Sequence, residues 1–381
     1  MKTTATLFSG FEGVGIGATA AGYTHLWGVE YDADIAAVAE RNGFPTIVSD
    51  VCNVDYSTLE RPYHLHASPV CKNASVAKVD GEESPVDIET ANAVCRAIVT
   101  LRPTLFTLEN VRGYIHFQAF RNIVAMLRQC GYQMTQDVLN AANYGVPQTR
   151  ERLILVARND GIKPRMPEHT HARADLLGTM FETRLPWVGW YESIADLIDG
   201  LPDAEFANWQ KKRLPSLAIA GTTLVTGMAN TSRDATLLEA DQPSATVITN
   251  WCHRPSHMPF GFLVNESSTM EVHQSFEPVA TQVASPSRGL KAFVLAEGGF
   301  DGGLVKRESD SPIFTMTSNQ NQQHIKAAVS GRVVKMTPRC LARFQSFPDS
   351  YALPESARLA TTGIGNAVPP LLMQLVMEAQ G

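Results

Sequence analysis

From Thr4 to about Arg158 the chain alternates between two hydrophobic periods. Residues 5–10 (ATLFSG), 25–31 (HLWGVEY), 44–50 (FPTIVSD), 63–68 (YHLHAS), 104–110 (TLFTLEN) and 152–158 (RLILVAR) are short β-rich runs that predict strands. Between them, residues 32–43 (DADIAAVAERNG), 89–103 (ETANAVCRAIVTLRP) and 117–131 (FQAFRNIVAMLRQCG) carry apolar positions at helical spacing, the last two stopping at Pro103 and Gly131. Strands that alternate with helices build a doubly wound, mainly parallel α/β sheet covered on both faces. Ligands of such sheets sit at the carboxyl ends of the strands, and the chemistry is to be sought there.

After Arg158 the texture becomes irregular and Pro- and Gly-rich, with short β runs. This shift predicts a second, irregular β-rich domain over 159–350, leaving 1–158 and 351–381 to the first. Within it Pro243, Pro278 and Pro312 open similar turn-then-strand segments at nearly equal spacing, which fits either a structural repeat or chance resemblance. At the end of the chain Leu371, Leu372, Leu375, Val376 and Ala379 share one helical face behind Pro369-Pro370, a pair compatible with a helix start. This tail is expected to pack on the first domain.

A length of 381 residues is enough for two domains or one domain with a large insertion, each with a proper core. Opening on MKTTATLFSGFEG, the chain lacks the long apolar core of a secretory signal, and no later run approaches the ~20 apolar residues of a membrane span. A cytoplasmic protein with no membrane contact is expected. Cys52, Cys71, Cys95, Cys130, Cys252 and Cys340 include no Cys-x-x-Cys pair, which fits free thiols better than disulfides or a zinc site. His169 and His171 are a metal pair on paper, but two histidines in a loop are usually solvated. The formal net charge of -6 does not itself suggest a nucleic-acid binder. Binding needs only a local basic face, for which Lys211, Lys212, Arg213, Arg233 and Arg254 are candidates; ordinary solvated surface charges are the competing reading.

The first strand runs into FSGFEGVGIG (8–17). Glycines at a strand-to-helix turn let a ligand approach the backbone, and the helix N-terminus behind them suits a carboxylate or phosphate. A nicotinamide cofactor would fit this segment equally well. Glu30 closes the second strand, where a carboxylate can take two ribose hydroxyls, and Asp50 closes the third; each acid alone reads as well as a cap or surface charge. The fourth strand ends in ASPVCKNAS (67–75). A lone cysteine is normally an inert core residue, but Cys71 stands at a strand's carboxyl end, after Pro69 and before a polar stretch through Lys78 and Gly81 to Ser84 that reads as a closing loop. The fifth strand brings Glu109 and Asn110 to the same edge. Gln148, Arg150 and Arg152 alternate, so they share a face if extended, and arginines there can grip a phosphate or a polarised carbonyl.

Taken in order, FSGFEGVGIG, Glu30, Asp50, SPVCKNAS, ENV (109–111), QTRER (148–152), RCLARFQSFPD (339–349) and GNAVPP (365–370) resemble the motifs of the cytosine-5 DNA methyltransferase family over nearly the whole chain. Three positions depart from its usual pattern: Glu12 for a glycine, Val70 for a proline and Cys340 for an acid. The resemblance implies a Rossmann-like class I methyltransferase fold with a target-recognition domain in the second half. It implies S-adenosylmethionine held by Phe8, Gly10, Gly13, Glu30, Asp50, Asn366 and Val368, no metal, and a monomer acting on double-stranded DNA. It further implies that Cys71 adds to carbon 6 of a flipped-out cytosine, that Glu109 binds ring nitrogen 3 and the amino group, and that Arg150 polarises the ring carbonyl with Arg152 in support. The pair Thr223-Leu224 with Gly227 resembles the family's recognition loop, although a plain β-turn explains it as well. A tRNA cytosine methyltransferase shares these motifs, but the long second domain favours duplex DNA. A catalytically silent cofactor-binding module is at odds with the intact Cys71, Glu109 and Arg150, and a nicotinamide dehydrogenase has no use for SPVCKNAS or GNAVPP.

Overall fold

The structure is a computed structural model. It describes residues 1–69, 83–173, 176, 183–204, 312–314 and 332–381, together with short strands between 223 and 329. The chain divides into two compact units, Met1–Ser193 with Asp310–Gln322 and Thr337–Gly381, and Ile194–Ser309 with Gln323–Met336.

The first unit is built on β1 (Thr3–Leu7), β2 (Thr24–Glu30), β3 (Thr46–Val48), β4 (His64–Ala67), β5 (Leu105–Asn110), β6 (Gln133–Asn140) and β8 (Glu151–Arg158), in the spatial order β3-β2-β1-β4-β5-β8-β6. The first five run parallel, and β8 lies antiparallel between β5 and β6. A two-residue strand, β7 (Gln148–Thr149), pairs instead with Ile313–Phe314. This is the mainly parallel sheet expected. The unpredicted β6 reads QMTQDVLN, and its largely polar, half-exposed edge position gives no apolar alternation to detect.

Crossover helices α1 (Gly13–Ala20), α2 (Ala33–Arg41), α3 (Pro85–Leu101) and α4 (Gln118–Gln129) follow the strands. The Asp32 carboxylate caps α2 by accepting from the N–H groups of Asp34 and Ile35. Pro85 opens α3, and Arg102, at φ 47, ends it before Pro103. The C-terminal part supplies α5 (Pro338–Phe344), α6 (Ala357–Asn366) and α7 (Pro370–Glu378). Leu372, Met373, Val376 and Met377 of α7 share one buried cluster with Val14 and Ala18 of α1, and with Leu105, Ile154 and Val156 of the sheet. The tail therefore packs on the first unit.

The first unit also takes in residues 159–193, 310–322 and 337–350. The reason lies in specific bonds. Trp187 donates its Nε1–H to Asn143, Ile313 bonds the carbonyl of Pro147, and Gln345 after α5 bonds Gln148. Irregular segments can be tied to a core without any periodic signature. The second unit holds a hairpin of Thr223–Thr226 and Thr236–Glu239, a three-stranded set around Phe262–Val264, and an antiparallel sheet of Leu304–Glu308, Phe293–Glu297, Lys326–Val329 and Arg332–Lys335. Thr223 and Leu224 stand in a strand rather than a turn. Val70, Cys71, Lys78, Gly81, Lys211, Lys212, Arg213, Gly227, Arg233, Pro243, Arg254 and Pro278 lie outside the described residues. Among the described residues no helix is long and apolar enough to cross a membrane.

The turn from β1 to α1 sets the mouth of the sheet. Phe8, Gly10 and Glu12 take φ values of 60, 56 and 55, the left-handed region that favours glycine. Glu12 nonetheless occupies it with its carboxylate fully buried. Thr6 donates its hydroxyl to Oε1 at 2.6 Å, and His25 Nε2 lies 3.1 Å from the same oxygen. Room for the carboxylate comes from two glycines. A Cβ on Gly28 would collide with Oε1, and one on Gly15 would stand 2.6 Å from Oε2. Gly28→Ala is therefore expected to lose about 2 kcal/mol of stability by overpacking. In a Glu12→Gly background the same change should cost clearly less, as read by urea unfolding of all four combinations. Equal losses in both backgrounds would show that Gly28 does not serve this carboxylate.

Candidate active site

The carboxyl ends of the parallel strands open onto a cavity of about 790 Å³ in the first unit, within the range of small-molecule sites. Phe8, Gly10, Gly13, Glu30, Asp50, Asn366 and Val368 all line it, as do Glu109, Arg150 and Arg152. Elements far apart in sequence thus bring these residues to one place.

On the side formed by β1, β2 and β3, Glu30 accepts from the N–H of Gly10 at 2.9 Å through Oε2 and from the N–H of Asp32 at 3.0 Å through Oε1. The carboxylate is thereby held beside the glycine turn. The space where a Cβ of Gly10 would stand has nothing within 4 Å. Asp50 accepts from the N–H of Cys52 at 2.8 Å. Across the turn, the missing side chain of Gly13 lets the Val368 carbonyl come against α1, since a Cβ there would overlap it. A helix N-terminus with no acidic residue in its first turn, an open glycine and an acid at the end of β2 suit a ligand bearing a carboxylate and a ribose diol. S-adenosylmethionine has both groups.

On the side formed by β4, β5 and β8, the Glu109 side chain is buried between two donors. Arg152 Nε lies 2.9 Å from Oε1, and the Ser68 hydroxyl donates to Oε2 at 3.1 Å. The Arg150 guanidinium donates to the carbonyls of Gly365 and Ala367, both at 3.1 Å, and so ties the QTRER segment to the junction of α6 and α7. Gln148 makes a second tie there: it bonds Gln345 at 2.6 Å, and Gln345 donates to the Ala367 carbonyl at 2.5 Å. Asn110 donates to the Pro69 carbonyl at 3.0 Å, joining the end of β5 to the segment that leads into Cys71. Cys340 is a fully buried thiol against Thr337, and burial pushes its pKa up, so the residue sits there as a small core side chain.

Sequence reasoning missed Thr6, His66 and Ser68, which line the same cavity. One signal was present: His64 and His66 stand two apart in a strand, hence on one face of it. Desolvation by burial pushes His66 down to about 3 and His64 well below its usual range, so both rings are neutral at ordinary pH. Among the described residues no group of three or more His, Cys, Asp or Glu could hold a metal ion. His169 packs its ring edge-on against Tyr144, and His171 bonds Thr170.

A family model for C-5 cytosine-specific DNA methylases matches residues 2–380. The chain belongs to this family. Membership makes it an enzyme, a DNA (cytosine-5-)-methyltransferase, and implies S-adenosylmethionine as methyl donor. The Type II methyltransferase M1.HphI of Haemophilus parahaemolyticus is 23% identical, with 98% of this chain and 85% of the relative covered. M.XorII of Xanthomonas oryzae pv. oryzae, also a Type II methyltransferase, is 26% identical, with 97% and 82% covered. Among solved structures, the Dnmt2 methyltransferase of S. pombe matches with a TM-score of 0.52 at 12% identity over 99% of this chain and 97% of that one. The methyltransferase EhMeth of Entamoeba histolytica matches at 0.56 and 11% over 100% and 98%. At such identities the likeness shows a shared fold, the Rossmann-like methyltransferase sheet.

The buried histidines of this methylase give its stability a defined pH slope. A histidine whose folded pKa lies below its unfolded value takes up a proton on unfolding, so stability falls as pH drops below about 6.5 and keeps falling until the folded value is reached. Between pH 7.5 and 5, His66 alone should remove about 2 kcal/mol, and His64 acts in the same direction. Urea unfolding at both pH values checks this. His66→Gln should flatten the slope by that amount, and an unchanged slope would rule the histidine out as its source.

Proposed function

We propose that the enzyme methylates carbon 5 of a cytosine within one duplex DNA sequence, through a covalent adduct of Cys71 and with the target base turned out of the stack. The observation that carries this reading is Glu109, buried and held by two donors in the cavity that Phe8, Gly10, Glu30, Asp50 and Val368 also line, on the strand whose Asn110 bonds the segment leading to Cys71. S-adenosylmethionine, when bound, supplies an electrophilic methyl group.

Carbon 5 of cytosine is too poor a nucleophile to take that group directly. Addition of the Cys71 thiolate to carbon 6 makes the ring enamine-like, provided the charge building on the ring is neutralised. Glu109 does this by passing a proton to ring nitrogen 3 while its second oxygen accepts from the amino group. Arg152, paired with Glu109, is better placed than Arg150 to polarise the ring carbonyl. Arg150 keeps the junction of α6 and α7 in position. After carbon 5 takes the methyl group, a base removes its proton, the carbon–sulfur bond to Cys71 breaks, and the proton on nitrogen 3 returns to Glu109. Carbon 6 is shielded inside a duplex, so the base has to be flipped into the cavity first.

Sequence reading falls to the second unit, which is β-rich. With Type II methyltransferases as relatives over nearly the whole chain, we read the enzyme as the modifying half of a restriction-modification pair. Exchange of Ile194–Ser309 with Gln323–Met336 for the corresponding part of a relative should replace the methylated sequence found by bisulfite sequencing of host DNA. A folded, active hybrid that keeps the original site would refute the assignment.

Duplex DNA carrying fluorine at carbon 5 of the target cytosine tests the chemistry. The last step removes the substituent of carbon 5 as a cation, which fluorine cannot do, so the reaction should stop at the adduct. A complex stable to denaturing electrophoresis should form with S-adenosylmethionine and be absent with Cys71→Ala. Methylation of ordinary DNA without this adduct on the fluorinated site would sink the thiol mechanism.

A further inference from the structure

Behind Glu109 the sheet holds a line of polar side chains that the mechanism above does not use. The Thr4 hydroxyl lies 2.8 Å from His64 Nδ1, His64 Nε2 is 2.8 Å from the Thr107 hydroxyl, and that hydroxyl is 2.8 Å from His66 Nδ1. His66 Nε2 then lies 2.8 Å from the Ser68 hydroxyl, which reaches Glu109 Oε2 at 3.1 Å. Thr4, His64, Thr107 and His66 are all buried to within 2% of full exclusion from solvent. Polar residues so deep in a central sheet cost stability unless each finds its partner, and here they find one another.

We propose that Thr4, His64, Thr107, His66 and Ser68 form one oriented hydrogen-bond relay whose direction is set by the charge on Glu109, with Ser68 and His66 as positioning residues for its carboxylate. The inference rests on the role given to Glu109 under the proposed function. The direction follows by elimination. An ionised carboxylate only accepts, so the single hydrogen of Ser68 goes to Glu109, and His66 must donate to Ser68 from Nε2. A neutral imidazole has one N–H, which leaves His66 Nδ1 to accept from Thr107. Thr107, its hydrogen spent, accepts from His64 Nε2–H, and His64 Nδ1 accepts from Thr4. Each hydrogen serves one bond, and all point toward Glu109.

When Oε2 carries a proton the order inverts. Glu109 donates to Ser68, Ser68 to His66 Nε2, His66 Nδ1–H to Thr107, Thr107 to His64 Nε2, and His64 Nδ1–H to Thr4. No bond of the relay is lost, no charge enters the sheet, and both imidazoles exchange tautomers. The charged group facing Glu109 from the neighbouring strand is Arg152 of β8, on the opposite oxygen, while Arg150 lines the same cavity. The relay thus keeps Oε2 hydrogen-bonded to Ser68 in both protonation states: the acid hydrogen rests against Ser68, and delivery to ring nitrogen 3 requires it to turn to the base as Ser68 resumes donation to Oε2. Ser68 also fixes the plane of the carboxylate against Arg152.

Imidazole nitrogen-15 NMR of the full-length protein reads the direction without any turnover. In the wild type His64 and His66 should both carry hydrogen on Nε2. Glu109→Gln mimics the protonated acid: Arg152 holds the amide oxygen, so the NH₂ faces Ser68, and both rings should switch to Nδ1–H. Either histidine keeping its tautomer in that variant, or carrying hydrogen on Nδ1 in the wild type, overturns the relay even if the enzyme methylates cytosine as proposed. Failure of the fluorocytosine adduct would instead strike the role of Glu109 and leave the tautomer result standing. For positioning, Ser68→Ala should lower kcat about 10- to 100-fold, the worth of one hydrogen bond to a charged group, with KM for DNA changed less than about threefold. Unchanged kcat would remove Ser68 from the machinery.

Discussion

A carboxylate withdrawn from water at the end of β5 is the constraint around which this site is arranged. An ionised acid in such a place is tolerated only when donors satisfy its oxygens, and Glu109 has one for each, Arg152 and Ser68. Both donors come from the strands on either side. β8 runs antiparallel beside β5 with Asn110 opposite Leu153, so the next residue, Arg152, reaches back over the strand end. β4 runs parallel on the other flank and delivers Ser68 one residue past its last paired position, Ala67 opposite Leu108. The reversed final strand of the sheet therefore has a chemical consequence, because it turns an arginine toward a carboxylate that a parallel neighbour would approach differently.

The same constraint reaches the end of the chain. Arg150 and Gln148, two residues apart, are anchored on carbonyls and side chains of the segment from Gln345 to Ala367. That segment leads Asn366 and Val368 into the lining of the cavity shared with Gly10 and Glu30, where Val368 rests against Gly13. Residues that pair in the arginine motif thus serve different masters. Arg152 addresses Glu109, and Arg150 closes the ring of elements by which the first and last motifs meet.

Much of this was legible in the sequence because the signals are local. Six of the seven long strands announce themselves by apolar runs, and the glycine turn, Glu30, Asp50 and Glu109 stand at strand ends, where any doubly wound sheet puts its ligands. The rest depends on partners distant in the chain. Nothing within QTRER says that its two arginines part company, since the partner of one is on β5 and those of the other lie beyond residue 364. Nothing within YHLHAS says that its histidines are neutral, because their state comes from burial between β1 and β5. The ties that hold α5 and the Pro312 segment to the first unit likewise leave no periodic signature, because they are a few hydrogen bonds.

The two buried acids of the site show how far hydrogen bonding separates their roles. Glu109 has a donor on each oxygen and opens onto the cavity. Glu12 has Thr6 and His25 on Oε1, while its Oε2 has no hydrogen-bond partner among the described residues. Glu12 also bears left-handed backbone strain at a position where the family usually has glycine, so it is the costlier of the two to maintain. Its side chain points away from the cavity, into space left by Gly15 and Gly28. The departure thus alters the packing beneath the turn from β1 to α1 and leaves the turn itself, with Phe8 and Gly10 in the left-handed region, in the form that keeps its backbone open. A bulky side chain at a motif position is accommodated when it has somewhere else to go, and here two neighbouring glycines provide it.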